Sequence, residues 1–406
     1  MSLNKLTLIA IFCTPLYLLK INIFGIPSNF FELLALIVFL FTILIAKEKK
    51  LYLKYFRDLP AIFIFSCFLI ILGVLTSIYF NDNFLTGLGI LKGWFAIPIL
   101  FSVIVYSSLK SGLYIDKIYK SIYLSAITVG FISILYKFFG IMTYDNRLSG
   151  FYLSPNHLAM YLSPGIFFGL YFLTNAYLQK NMKLFFLNAA LLGLIFFPLY
   201  YTYSYGAWIA LFVSLILLIF FIAPKKYFLI SISLLALLSV FSFQWNSDKL
   251  SALTNFSSRS SLASRQMIWQ SSLLLIKENP ILGIGPGNFQ QAYLSLQPRF
   301  APYLEWAVPQ PHNIFIAFWL QSGMLGFIGF LSLLFFVFRT FFQIFKDKKN
   351  TALAAPLLGF FLYTLFHGII DTLYWKNDLS FLFWLCVFMT VFLYETSLIF
   401  HKPKDK

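Results

Sequence analysis

Long apolar runs separated by short polar breaks repeat along almost the whole chain. A helix crossing a bilayer needs about 20 consecutive apolar residues, and run after run meets that length. The pattern predicts spans at about Leu6–Ile23, Phe30–Ala46, Leu59–Phe80, Leu85–Tyr106, Lys120–Phe139 and His157–Ala176. It predicts further spans at about Leu184–Tyr201, Gly206–Ala223, Tyr227–Trp245, Asn313–Phe342, Ala354–Ile370 and Leu379–Phe400. The run from Asn313 is too long for one straight span at about 1.5 Å per residue, and Ser322-Gly323 with Gly326 offers a place to kink. One break differs from the rest: Asn246 to His312 is the only polar stretch long enough to fold outside the membrane. Within it, Leu262, Trp269, Leu273 and Ile276 recur at helical spacing, with Arg265 and Ser272 between them. That spacing predicts an amphipathic helix lying on the outer membrane surface. The fold expected is all-α and polytopic, with about 12 transmembrane helices. It forms one integral membrane domain over residues 1–406, with a long loop, 246–312, between the ninth and tenth helices.

Composition supports this reading and removes others. The 406 residues are 60% hydrophobic and only 11% charged, against about 25% charged in a soluble domain. A formal charge of +16 would suggest nucleic acid in a soluble protein. Here the basic residues gather in alternate breaks, such as Lys47-Glu48-Lys49-Lys50, Lys225-Lys226 and Lys402 to Lys406, and they orient the spans. That side is the cytoplasm, both termini lie there, and the long loop faces the periplasm of a cytoplasmic (inner) membrane. No nucleic-acid motif or basic-aromatic tract is present, so no nucleic-acid partner is expected. The apolar N-terminal run begins like a signal peptide, but no small-residue cleavage site follows, and it reads as a retained first span. Cys13, Cys67 and Cys386 fall inside apolar runs at spacings that fit no metal or redox motif.

Chemistry must come from the outer face. Positive-inside bias should deplete that side of arginine, yet it carries Arg147, Arg259, Arg265 and Arg299, with Lys249, Lys277 and Lys376. The plain reading is solvated charge and anchoring to lipid headgroups. The functional one is that Arg265, Arg147 and Arg259 bind a phosphate-bearing group through their planar, two-pronged guanidinium. Lys92, in the outer half of its span, would extend that basic site, while Lys20 and Glu32 flank one outer turn and can pair with each other. His312, preceded by Pro311, opens the tenth span at the outer surface and could take a proton from a hydroxyl near neutral pH. His157 opens the sixth span in a similar setting, and Asn313 beside His312 is a further candidate. His367 reads as a packed or water-lined residue within its helix, and His401 as a solvated one.

The run Gly283-Ile284-Gly285-Pro286-Gly287 looks like a phosphate loop only superficially. It follows a helix and Asn279-Pro280 rather than a strand, and Pro286 has no N–H to donate, so a tight turn is the better reading. No carboxylate pair or His/Cys/Asp cluster has metal-ligand spacing, and neither a metal nor another cofactor is expected. If a diphosphate is handled, arginines must carry its charge.

Four stretches together resemble the O-antigen ligase/polymerase family. They are Ser264-Arg265 with Trp269 and Glu278 through Phe289; Pro311-His312-Asn313 with Ser322-Gly323 and Gly326; Arg147-Leu148-Ser149-Gly150 with Ser154-Pro155-Asn156-His157; and Asp371 through Leu379. The resemblance implies a helical glycosyltransferase fold of the GT-C type. It implies metal-independent transfer of a glycan from an undecaprenyl-diphosphate donor to an acceptor outside the cytoplasmic membrane. The acceptor is lipid A–core oligosaccharide in a ligase and a second carrier-linked repeat unit in a polymerase; the long single loop favours the ligase. By position, His312 corresponds to the family's proposed general base, Arg265 to its diphosphate-binding arginine, and Arg147 to a basic residue before the sixth span. The chain departs from the family at one point. Where the family often has Ser-Arg-Gly at the start of the eighth span, it reads Ser204-Tyr205-Gly206, leaving Arg259 or Lys92 to substitute or the donor to bind differently. A transporter would need an inverted repeat or paired broken helices, and neither is visible.

Overall fold

The computed structural model describes residues 2–23, 25–45, 59–222, 226–245, 247, 250, 261–300 and 307–399. Among these, α1 (Leu3–Phe12), α2 (Phe30–Ile45), α3 (Ala61–Tyr79), α4 (Phe84–Lys110), α5 (Ile115–Phe138), α6 (Pro155–Leu178) and α7 (Met182–Tyr201) form the first half. The second half is α8 (Tyr205–Ile222), α9 (Lys226–Phe243), α10 (Ser261–Glu278), α11 (Phe289–Leu296), α12 (Ile314–Asp347), α13 (Thr351–Gly368) and α14 (Asn377–Ile399). Nine of them, α3 to α8 and α12 to α14, are long and apolar enough to cross a membrane, and the apolar helices α1, α2 and α9 are shorter. The protein is an all-α polytopic membrane protein.

The most central helix is α14, which buries Phe381 through Met389 without a break. It packs against α4, and α3 lies along α12. Small residues permit the second approach: a Cβ at Gly73 would strike the backbone of Ser322 and Gly326, and one at Gly329 would strike that of Ile70 and Ser66. With lipid outside and no hydrophobic drive between helices, such close backbone packing is what holds them together.

The first predicted span is not one helix. α1 stops at Phe12, a 3₁₀ turn runs Thr14–Leu18, and an antiparallel hairpin pairs Lys20–Ile23 with Ile26–Asn29. Pro15 has no N–H with which to continue a helical ladder, so the backbone polar groups beyond it are satisfied by the 3₁₀ turn and across the hairpin instead. Lys20 therefore lies on a strand, and Glu32 pairs not with it but with Lys92, Nζ to Oε2 2.9 Å. Lys92 itself sits in a π-turn, Leu91–Ala96, inside α4.

Breaks in α12 and in the loop lock together. Within α12, Gly323 has φ 65° and ψ −174°, so the helix is interrupted where Ser322-Gly323 predicted a kink. The backbone groups freed there are satisfied by the glycine run: Ile284 and Gly285 donate N–H to Leu320 O (2.7 and 3.2 Å), and Met324 N–H donates to Ile281 O (2.8 Å). Gly283 has φ 67°, and a Cβ there would meet the Leu320 carbonyl oxygen. Only glycine gives this conformation and this approach together. Asn288 ties the same segment to the end of α3, donating to Asp82 O at 3.0 Å and accepting from Asn83 at 2.6 Å. The glycine run is thus a backbone latch on a broken membrane helix.

The loop helix α10 forms where expected, but with a different face inward. It buries Ser264, Met267, Ile268, Ser271, Ser272 and Leu275, and leaves Leu262 and Leu273 exposed. Met267, Ile268 and Leu275 join Ile284, Phe289 and Tyr293 in a small core of their own beside α12. Its serines return their hydroxyls to the carbonyl one turn back, Ser271 to Met267 and Ser272 to Ile268, which lets a polar helix pack closely without orphaned groups.

Candidate active site

The loop segments at one end of the bundle gather the candidate residues. His312 is fixed by its backbone first. It adopts φ 48°, a left-handed conformation that a non-glycine residue holds only where its surroundings impose it. Its carbonyl accepts from Trp269 Nε1 of α10 at 3.2 Å. The next residue, Asn313, caps α12: its Oδ1 accepts from Phe315 and Ile316 N–H at 2.9 and 3.0 Å, and its amide donates to Ile369 O at 2.9 Å. Asn313 therefore docks the histidine turn onto the segment joining α13 to α14, and its contacts are those of a positioning residue.

That joining segment supplies what the sequence reading left without a role. Asp371 Oδ1 lies 3.0 Å from His312 Nδ1 and also accepts from Thr372 N–H at 2.9 Å. Burial pushes the Asp371 carboxyl upward, but His312, Arg265 and His367 outweigh it and bring its pKa below the ordinary carboxylate range. Asp371 is thus an anion that can only accept, and it selects the tautomer of His312 with the proton on Nδ1. Nε2 is then left with its lone pair, the arrangement needed in a general base.

Arg265 closes the cluster from α10. Its Nε donates to Ile370 O at 2.9 Å, its Nη1 donates to Ser261 Oγ, and its Nη2 lies 3.9 Å from Asp371 Oδ2, an oxygen that accepts no hydrogen bond among the described residues. Arg147 enters from the α5–α6 connection. It donates from Nε to Thr202 O and from Nη2 to Asn156 Oδ1, both at 2.7 Å, with Asp145 3.8 Å from Nη1. Burial lowers the Arg147 pKa, Asp145 opposes this, and nearby Arg265 lowers it further. The two guanidiniums line one cavity of about 70 Å³ with Ser204, Tyr205 and His367. Like charges held in a small, partly buried space favour an anion between them, and the volume suits a phosphate group rather than a sugar.

The remaining candidates fall elsewhere. Lys92 does not reach this cavity. It is occupied by Glu32, by Pro27 O at 2.6 Å and by Ser28 Oγ at 3.0 Å, and it lines a different chamber. Tyr205 stands in the arginine cavity at the position where an arginine is absent, its hydroxyl 3.0 Å from Ser247 Oγ. Arg259 lies outside the described residues. His157 is enclosed: its Nε2 is 3.2 Å from both oxygens of Asp378 and 3.3 Å from the Tyr17 hydroxyl. His367 pairs with Tyr363 at 2.8 Å within α13 while also lining the arginine cavity. Asp371 and Asp378 are the residues the sequence reading missed. The available signal was cost: a carboxylate set between two membrane helices needs a cationic or donor partner.

Residues 189–331 match the family described as O-antigen ligase. No curated protein matches the chain. The matched third of the chain runs from within α7 to the middle of α12, and it contains Tyr205, Arg265 and His312. Arg147 and Asp371 lie outside it, so the cluster is completed by parts of the chain on either side of the matched domain.

Proposed function

We propose that the protein is an O-antigen ligase-type glycosyltransferase that moves a glycan from undecaprenyl diphosphate to lipid A–core oligosaccharide at the periplasmic face of the cytoplasmic membrane. The observation that carries this reading is the joint placement of His312 on Asp371 and of Arg265 beside the same carboxylate and in one cavity with Arg147.

The acceptor hydroxyl oxygen attacks the anomeric carbon of the carrier-linked sugar. The new C–O bond forms as the bond from that carbon to the diphosphate oxygen breaks, and the electron pair leaves with the diphosphate. His312 Nε2 takes the hydroxyl proton and later releases it to water. Asp371 keeps Nδ1 protonated and stabilises the imidazolium formed. Arg265 and Arg147 face the charge that grows on the departing diphosphate, and groups already in place for that charge lower the barrier. The family supports the ligase/polymerase type of activity in general; donor, acceptor and base are the finer part of this reading.

Purified full-length protein supplied with carrier-linked glycan and lipid A–core tests it. Transfer that disappears in His312→Ala, with the variant still monodisperse, supports the reading. Undiminished transfer in that variant removes His312 as base. Transfer only onto a second carrier-linked unit makes the enzyme a polymerase.

A further inference from the structure

We infer that the protein binds a second anionic glycolipid, the acceptor, in a chamber separate from the arginine cavity; this rests on the transferase reading. The chamber has a volume of about 550 Å³, several times that of the arginine cavity. Residues adjacent in the chain line the two. Asn156 lines the arginine cavity and the next residue, His157, lines the chamber; Ile370 lines the arginine cavity and Trp375, Lys376 and Asn377 line the chamber. His312 follows Pro309 and Gln310, which line the chamber, and its imidazole is held by Asp371, which directly follows Ile370. The chain thus places the base next to residues that line each cavity, so a hydroxyl arriving from one can meet a sugar held by its phosphates in the other. Holding both reactants in this way is itself a large part of the rate enhancement.

The lining identifies the occupant. Lys20, Lys92 and Lys376 face it against one carboxylate, Glu32, so the chamber carries excess positive charge. Trp94 offers aromatic surface, against which the C–H face of a sugar ring packs, and behind it the buried Trp375 indole N–H has no hydrogen-bond partner among the described residues. Asn29, Gln310 and Asn377 add amides that match sugar hydroxyls. Its floor is continuous with an apolar groove of about 330 Å³ between α2 and α4: Ser28, Glu32 and Lys92 line both. The groove is walled by Leu36, Phe39 and Leu100, all exposed on the flank of the bundle. A polar, cationic chamber opening into a lateral apolar groove has the shape of one amphiphile, sugar and anionic groups inside and a hydrocarbon chain alongside the helices.

Two ligand sources share this chemistry, lipid A–core and a second carrier-linked glycan, and binding separates them. The variants are Leu36→Trp and Leu100→Trp, which fill the groove from exposed positions, and Lys376→Glu at the polar end. The probes are lipid A–core and undecaprenyl-diphosphate-linked glycan, titrated onto detergent-solubilised full-length protein. Expected is a loss of lipid A–core affinity of about tenfold or more in all three variants. For a carrier-linked acceptor the expected result is instead a fall in bound carrier glycan from two molecules to one. Arg265→Ala should weaken the carrier-glycan site that the groove variants leave intact. Groove and Lys376 variants that bind both probes like the wild type overturn the inference and leave the transferase reading standing. A wild type that binds neither probe overturns both.

Discussion

Among the described residues two histidine–aspartate pairs occur, one aspartate in the segment that joins α13 to α14 and the other in the first turn of α14, and they differ in what surrounds them. His312 lies 3.0 Å from Asp371 and keeps 30% of its side chain exposed. His157 lies 3.2 Å from Asp378 and keeps 4%, while Asp378 is fully buried. His312 uses Nδ1 for its aspartate, with Nε2 outside that contact, whereas the contacts of His157 with Asp378 and Tyr17 are all made by Nε2. The first pair stands beside the Arg265 guanidinium, which shares a cavity with Arg147; the second is closed in by Tyr17 and Tyr152. A His–Asp contact is therefore no signature of catalysis alone. A free ring nitrogen, access and a place for the leaving charge separate a base from a structural pin.

The largest expected difference between the pairs is in the histidines themselves. His312→Ala should lower kcat by about 10⁴-fold, at the upper end of what a general base supplies. Single-turnover transfer with saturating donor measures this. A fall of less than tenfold would assign base catalysis to another group and dissolve the contrast.

Asp371→Asn should come next, at about 10²-fold in kcat, because the amide can hold His312 in the tautomer that lacks a lone pair on Nε2. Acid stability gives an independent reading. The Asp371 pKa is depressed in the folded state, so its contribution is present above the ordinary carboxylate value and lost as pH falls through the folded one. Between about pH 5 and pH 3 the wild type should lose thermal stability that Asp371→Asn has no means of losing. Parallel melting curves for the two proteins over that range would place the carboxylate in an ordinary environment.

Arg265→Lys keeps the charge and discards the fork. It should raise donor KM by about tenfold with a smaller effect on acceptor KM, since a point charge cannot span two phosphate oxygens as a guanidinium does. Equal effects on both substrates would mean that Arg265 organises the loop through Ile370 and Ser261 rather than meeting the diphosphate.

How much of this was legible in the sequence depended on the range of the forces involved. Span positions follow from apolar runs, a local property, and so did the break at Gly323. The first span failed because hydrophobicity records what lipid accepts and not whether Pro15 can stay in a helix. The pairing of α10 with Arg147 and Asp371 joins three distant parts of the chain, and no spacing rule reaches across them. Lys92 shows the same limit from the other side: it has the right charge in the outer half of a span, yet its partner Glu32 comes from α2 and directs it to the chamber. The glycine run was readable as a turn because Pro286 lacks a donor, but its role as a latch needed the broken α12 beside it.

The smallest effect on chemistry is expected at the enclosed pair. In Asp378→Asn the carboxylate that accepts from His157 Nε2 and from Leu379 N–H becomes an amide with one acceptor oxygen. One buried contact is weakened or left unpaired, at a cost of about 1–3 kcal/mol. The damage should appear as a melting temperature lower by roughly a few degrees, while kcat per folded molecule stays within about threefold of wild type because nothing that touches the reacting atoms has moved. The two observables must separate for the contrast to hold. If kcat falls with Asp378→Asn as far as it does with Asp371→Asn while the melting temperature is unchanged, the enclosed histidine takes part in proton transfer. The two pairs would then act as one relay through the segment that joins α13 to α14.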